Sequence, residues 1–222
     1  MNRARPHEAP MPDPLAFFLT WPTYGTWLPG DDRGWVLYSV GRQSPDEFRQ
    51  RVARMRMTEQ ACRLDSEQRK LVEDTIARHC EIRGWELYEV NCRSNHLHVV
   101  FAGDRHPDVM RTQFKAWCTR RLKERDLALG IRPADLRENW WAERGSRRYI
   151  NDHESLEAAR LYVRDAQDLP HQRSAGREFC VFCLADAFFE VAVCGLREIK
   201  GGENTGDYHN PKRPARIFPN TA

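Results

Sequence analysis

Residues 85–102, WELYEVNCRSNHLHVVFA, constrain the fold more than any other stretch of the chain. Two runs of strand-forming residues, 85–91 and 96–102, are joined by the turn residues CRSN, which predicts an antiparallel hairpin. Helical patterns lie on both sides of it. From Ser66 to Gly84, Leu71, Val72, Thr75, Ile76 and His79 keep a helical spacing, with Ser66 as a cap and Gly84 as a stop. A second helix is expected over 108–129, with Pro107 near its start and Gly130 as its stop. The aromatic and threonine-rich stretch 15–28, LAFFLTWPTYGTWL, reads as a strand in which Pro22 marks an edge, a bulge or a bend. Residues 140–151, WWAERGSRRYIN, read as two strand pieces around a Gly145-Ser146 turn, and 153–167 as a third helix capped by Asp152. The first six elements give the order β-α-β-β-α-β. The fold expected is α+β: a ferredoxin-like antiparallel sheet with helices mainly on one face and a final helix that carries Tyr162.

The remaining segments divide by composition. Residues 1–14 hold four prolines and read as a flexible leader, and 29–64 read as a long excursion or insertion within the 15–170 domain. Residues 171–222 form a C-terminal extension expected to be largely disordered, because it ends in a polar tail rich in Gly and Pro. Net charge is only +3, from 35 basic and 32 acidic side chains, so a polyanionic partner has to be argued from local patches. No apolar run reaches the roughly 18 residues of a membrane span. Seven cysteines, an odd number, suit reduced thiols and a cytoplasmic location better than a disulfide framework. Cys180, Cys183, Cys194 and His209 raise a zinc reading, but a single CxxC with irregular spacing beyond it makes idle thiols the simpler account.

The hairpin also carries chemistry. In a strand side chains alternate, so His96 and His98 project to one face while Leu97 and Val99 project to the other. Two imidazoles side by side either fill space or bind a divalent metal, leaving positions for water and substrate oxygens. Tyr162 lies on the last helix, where a tyrosine commonly packs but can also act as a nucleophile toward a polarised phosphodiester.

Five stretches taken together, YGTWLPGDDRG (24–34), RSNHLHVVF (93–101), MRTQFKAWCTRRL (110–122), RGSRRYI (144–150) and LYVRDAQ (161–167), resemble the single-tyrosine HUH transposases. The likeness is greatest to the REP-associated tyrosine transposases and related transposase-like proteins, and it spans roughly residues 15–170. It implies a nuclease acting on single-stranded hairpin DNA, usually as a homodimer in the bacterial cytoplasm. His96 and His98 would bind Mg2+ or Mn2+ against the scissile phosphate. Tyr162 would attack phosphorus, forming a 5′-phosphotyrosine and freeing a 3′-OH.

One position departs from that pattern. The family often places a Gln or Asn ligand four residues after the tyrosine, where this chain has Ala166 and Gln167 follows at five. At about 100° per residue, five steps place Gln167 about 140° from Tyr162, against about 40° for four. A π-bulge would restore the alignment. Gln167 is the preferred third ligand, Asp165 the competing carboxylate, and Tyr149 the alternative nucleophile.

For DNA binding, Lys115 in mid-helix and Arg144, Arg147 and Arg148 around the Gly145-Ser146 turn are the expected phosphate contacts, weighed against an ordinary solvated surface. Trp21, Tyr24 and Trp27 could stack on unpaired bases or pack under the sheet. Asn95 reads as a turn residue, and Asp31 and Asp32 as part of a Pro-Gly-Asp turn. The competing functional reading is a relative that keeps the sheet and grips structured single-stranded DNA or RNA without cutting it.

Overall fold

The computed structural model describes residues 13–37 and 40–166. The leader up to residue 12, the C-terminal extension with its CxxC, and Gln167 lie outside the described residues.

Chain order is β1 (Ala16–Pro22), β2 (Trp35–Leu37), β3 (Gly41–Gln43), α1 (Glu47–Met55), α2 (Ser66–Arg83), β4 (Glu86–Cys92), β5 (His96–Ala102), α3 (Pro107–Ala128), β6 (Ser146–Ile150) and α4 (His153–Leu161). The helix then widens into a π turn over Tyr162–Ala166. The four long strands form one antiparallel sheet in the order β4-β5-β1-β6, while β2 and β3 make a separate small hairpin. The hairpin β4–β5 therefore sits beside β1, and β1 is an inner strand. Pro22 does not mark an edge: it is the last residue of β1, where the ladder is ending and a missing N–H costs nothing.

Local chemistry explains the helix ends. Asp65, not Ser66, is the N-cap of α2. Its carboxylate accepts from the Gln68 N–H at 2.7 Å, and the Gln68 side chain accepts from the Asp65 N–H at 3.0 Å, forming a capping box. Gly84, at φ +65°, closes the helix in the left-handed region. Asp152 caps α4 by accepting from the Ser155 N–H at 2.7 Å.

Every residue of β1 is buried because both faces of the sheet are covered. On one face Phe17, Leu19, Trp21, Leu97, Val99 and Phe101 pack against α2 and α3, which contribute Val72, Ile76, Met110, Phe114 and Leu122. On the other, Ala16, Phe18, Val100 and Ile150 meet Leu156 and Ala159 of α4 with Tyr162 and Val163 of the π turn. The two long helices share a face, as the β-α-β-β-α-β order requires, and the short last helix takes the opposite one. A register shift between Leu87 and Glu89 makes Tyr88 an extra residue in β4, and Tyr88 joins the α4 side.

The excursion 29–64 contains β2, β3 and α1. It is tied back to the domain through its last residues: the Cys62 N–H donates to Tyr24 O at 2.8 Å and the Leu64 N–H to Ser94 O at 2.8 Å. Residues 140–151 hold a single strand rather than two pieces around a turn. Trp141 makes only an isolated bridge with Thr23, and Gly145 runs straight into β6. Among the described residues, no helix is long and apolar enough to cross a membrane.

Candidate active site on the α4 face

The pleat puts His96, His98 and Val100 on the α4 face of β5. Register carries the same face across the sheet. Thr20 stands opposite His98 on β1, and Asn91 stands opposite it on β4. Phe18 stands opposite Arg148 on β6, which places Arg148 on the histidine face.

His98 is 1% exposed. Its ring centroid lies 4.8 Å from that of His96, 5.7 Å from Tyr162 and 5.6 Å from Phe18. His98 Nδ1 is 2.7 Å from Thr20 Oγ1, and its Nε2 meets no hydrogen-bond partner among the described residues. His96 Nδ1 is 2.7 Å from Asn95 Oδ1. Burial, followed by the charges of Arg93 and Arg33, pushes the His96 pKa down to about 4. Burial, then His96 and Arg93, holds His98 well below the usual range. Both rings are thus neutral near pH 7, the form in which an imidazole offers a lone pair to a metal.

Tyr162 is the residue at which α4 passes into the π turn, and it is buried. The turn is fastened to the sheet by the Asn91 amide, which donates to Val163 O at 3.0 Å. This fastening falls on the β4 residue paired with His98. The sheet face opposite α2 and α3 is therefore covered around His98, and the tyrosine is part of the cover. Asp165, the competing ligand, is 59% exposed and ion-paired to Arg164 at 2.9 Å. Tyr149 lies on the other face of β6, against Phe17 and the α2–α3 core, away from both histidines.

The donor set suits a divalent cation in part. An orphaned buried imidazole nitrogen next to a second neutral imidazole is the kind of atom pair that ligates. Among the described residues no group of three or more His, Cys, Asp or Glu side chains is placed to hold a metal ion. Two imidazoles would supply only part of a coordination sphere, and water and phosphate oxygens would have to complete it.

The cations expected on phosphate are distributed differently. The ammonium of Lys115 donates to Ala142 O (2.7 Å), Glu143 O (3.1 Å) and Arg144 O (2.9 Å), which uses all three of its N–H groups. Arg111, one turn earlier on α3, donates to Gly145 O at 3.1 Å and pairs with Asp108 at 2.8 Å. Arg147 also pairs with Asp108, at 2.6 Å. Lys115 therefore grips the segment entering β6 rather than presenting its charge to a strand of DNA. Arg147 lies on the α3 side, and Arg144 lends Lys115 its carbonyl. Of these four, Arg148 is the one that the register puts on the histidine face.

Trp21 and Tyr24 are buried in the α2–α3 core and cannot stack on a base there. Trp27 donates its indole N–H to Gly34 O at 2.9 Å, with the Arg33 guanidinium 4.4 Å above its ring. Asp31 is 5% exposed and holds Arg33 through two bonds, at 2.7 and 2.9 Å, so this carboxylate serves the turn. A polar groove of about 770 Å³, lined in part by Thr26, Asp31, Arg54, Glu59 and Arg63, lies beside this turn.

Two contributors carry little signal in the sequence: Thr20 shows only its place in a strand, and Asn95 only its turn chemistry and its adjacency to His96.

No protein-family model and no curated protein matches the sequence. Among solved structures the chain is similar to a REP-associated tyrosine transposase bound to a REP hairpin, at 13% identity and a TM-score of 0.39, over 73% of this chain and 70% of that one. It is also similar to a protein of Deinococcus radiodurans R1 assigned to the transposases, at 14% identity and a TM-score of 0.35, over 71% of this chain and 92% of that one. At these TM-scores neither likeness assigns this chain a reaction or a partner.

Proposed function

We propose that this chain is a metal-dependent single-strand DNA endonuclease and strand transferase of the transposase type, cutting beside a hairpin with Tyr162 as nucleophile. The observation that carries the reading is the buried His98, whose ring lies 4.8 Å from that of His96 and 5.7 Å from that of Tyr162, with its Nε2 unmatched among the described residues. Most buried side-chain polar atoms are paired, so a nitrogen left open beside a second imidazole supports a ligand role. The sequence resemblance supplies the substrate class and the homodimer.

In this reading His96 and His98 would hold Mg2+ or Mn2+, and the ion would supply Lewis-acid polarisation of a phosphodiester oxygen. Tyr162 Oη attacks phosphorus as its proton leaves, the P–O3′ bond breaks, and the departing O3′ takes up a proton. The protein is then joined, as a 5′-phosphotyrosine, to the DNA 3′ of the cut, and the DNA on the other side keeps a free 3′-OH. The phosphoester bond energy is retained, so reversal by another 3′-OH needs no ATP. The protein's part is placement: the π turn holds the tyrosine against the sheet, and Arg148 lies on that face to offset phosphate charge.

Covalent capture tests this. Labelled single-stranded hairpins from the flanks of the protein's own gene are incubated with the full chain and Mn2+ or EDTA, then resolved under denaturing conditions. The expected result is a metal-dependent adduct carrying the DNA 3′ of the cut, lost in Tyr162→Phe and His98→Ala and retained in Tyr149→Phe. Hairpin binding by folded protein with no adduct would overturn the nuclease reading and favour a relative that binds without cutting.

A further inference from the structure

Three threonines recur at intervals of three in LTWPTYGT, Thr20, Thr23 and Thr26, and all three lead to the histidine pair. Thr20 is 2% exposed and meets His98 Nδ1 directly at 2.7 Å. Thr23, fully buried, donates its backbone N–H to Asn95 O at 2.9 Å. Its hydroxyl has a single proton and lies nearest Cys62 O, at 2.6 Å, which pins the returning end of the 29–64 excursion. The Thr26 hydroxyl lies nearest Thr23 O, at 2.9 Å, with the same Asn95 carbonyl at 3.0 Å. Asn95, so anchored through its main chain, turns its side-chain Oδ1 to His96 Nδ1 at 2.7 Å.

The two histidines are therefore held in the same way. Each ring is gripped at Nδ1 by an oxygen, and each oxygen belongs to a residue fixed by the end of β1 or the segment after it. A carboxamide oxygen can only accept, so at His96 the proton belongs on Nδ1 and the lone pair on Nε2. Thr20 can donate or accept. If its hydroxyl accepts, His98 is the same tautomer as His96, and its buried Nε2, which meets no partner among the described residues, carries a lone pair rather than an N–H.

We propose that Thr20 and Asn95, the latter anchored by the Thr23 main chain, are the positioning residues of this site. They hold His96 and His98 as matched Nδ1–H tautomers, so that both Nε2 lone pairs are offered to one divalent cation. This rests on the metal-binding reading above. The general precedent is physical: a ligating imidazole needs a partner on its other nitrogen to fix ring and tautomer, and losing that partner typically weakens metal binding about 10- to 100-fold.

Two measurements on the full chain separate the positioning role from the metal reading. Long-range 1H–15N spectra of the metal-free protein give the tautomer of each histidine, and Mn2+ titration gives affinity. The expected result is Nδ1–H at both rings in the parent protein, with Nε2–H appearing at His98 in Thr20→Val and at His96 in Asn95→Ala. Mn2+ affinity should fall about 10- to 100-fold in those two variants and stay near the parent value in Thr20→Ser and Asn95→Asp, which keep the oxygen. Nε2–H rings in the parent protein, or unchanged tautomers in folded Thr20→Val and Asn95→Ala, would overturn the proposal. Should Thr20→Val not fold, Asn95→Ala in the partly exposed hairpin turn carries the test. A parent protein that binds no Mn2+ would sink the metal reading, while the tautomer spectra, which need no metal, would still decide the positioning role.

Discussion

The ammonium of Lys115 has three N–H donors, and three successive carbonyls take one each. Burial, followed by the nearby Arg111 guanidinium, lowers its pKa from an ordinary 10.5 to about 7, with Glu143 and Asp108 pulling the other way. A base whose folded pKa is depressed binds fewer protons folded than unfolded between those two values. Stability therefore rises with pH from about 7 upward, and below that range both states carry the proton. Urea midpoints taken at about pH 6.5 and about pH 8.5 should rise in the parent protein relative to Lys115→Met, which lacks the titrating group. Taking the difference removes the buried thiols of Cys80, Cys92 and Cys118, which burial raises and which act in the opposite sense. A pH-independent difference between the two proteins would refute the assignment. Asp31 follows the carboxylate sign. Burial raises it, but hydrogen bonds from Arg33 leave it below its ordinary value, so its contribution is present above the ordinary carboxylate pKa and lost as pH falls from there through the lower folded value. The bland reading of Asp31 as a turn residue was legible in PGDDRG; the fate of Lys115 was not, because it depends on main-chain carbonyls 27 to 29 residues further along.

At the level of elements, Gly145 is the tightest join. A Cβ there would lie 2.3 Å from Thr20 O and 2.7 Å from Trp21 Cβ, neither of which can swing aside as a side-chain tip would. Gly145→Ala should destabilise by about 2 kcal/mol or more and lower Tm by several degrees; a melt within a degree of the parent would show that the β1–β6 seam gives way. Helix positions were readable from periodicity because Val72, Thr75, Ile76, His79 and Cys80 sit three or four apart. Their caps were readable to within a residue. What periodicity could not reveal was which strands pair with β6, how the extra residue Tyr88 shifts β4, or that the last helix widens at Tyr162. Those features come from long-range packing, and the glutamine at five rather than four steps beyond the tyrosine hinted at the last of them alone. The histidine pair, by contrast, was legible because a strand's period of two fixes its face.

For the whole molecule, the sheet is a wall between two unequal cores. The α2–α3 side holds Trp21, Phe101, Phe114, Ile76 and Leu122, all fully or almost fully buried, each contributing about 1.5–3 kcal/mol or more by leaving water. The α4 side is smaller and rests on Phe18, Val100, Ile150, Leu156 and Val163. Local opening should follow that inequality. In native-state hydrogen exchange, amides of α4 and the π turn should open at lower free energy than those of α3 and β5, and Leu156→Ala should lower the former without the latter. Equal protection throughout would mean that the two cores unfold as one. The β-α-β-β-α-β order made the larger core predictable, whereas the smaller one required knowing that α4 crosses to the other face.

The grip of Arg111 and Lys115 on carbonyls 142–145 has a consequence for how this chain can change over generations. The contact is with main chain, which every amino acid supplies, so the side chains at 142, 143 and 144 can drift without loosening it. Position 145 has no such latitude, and a single replacement on α3 would release several consecutive residues together. Tolerance and fragility are thus set one residue apart along the same strap.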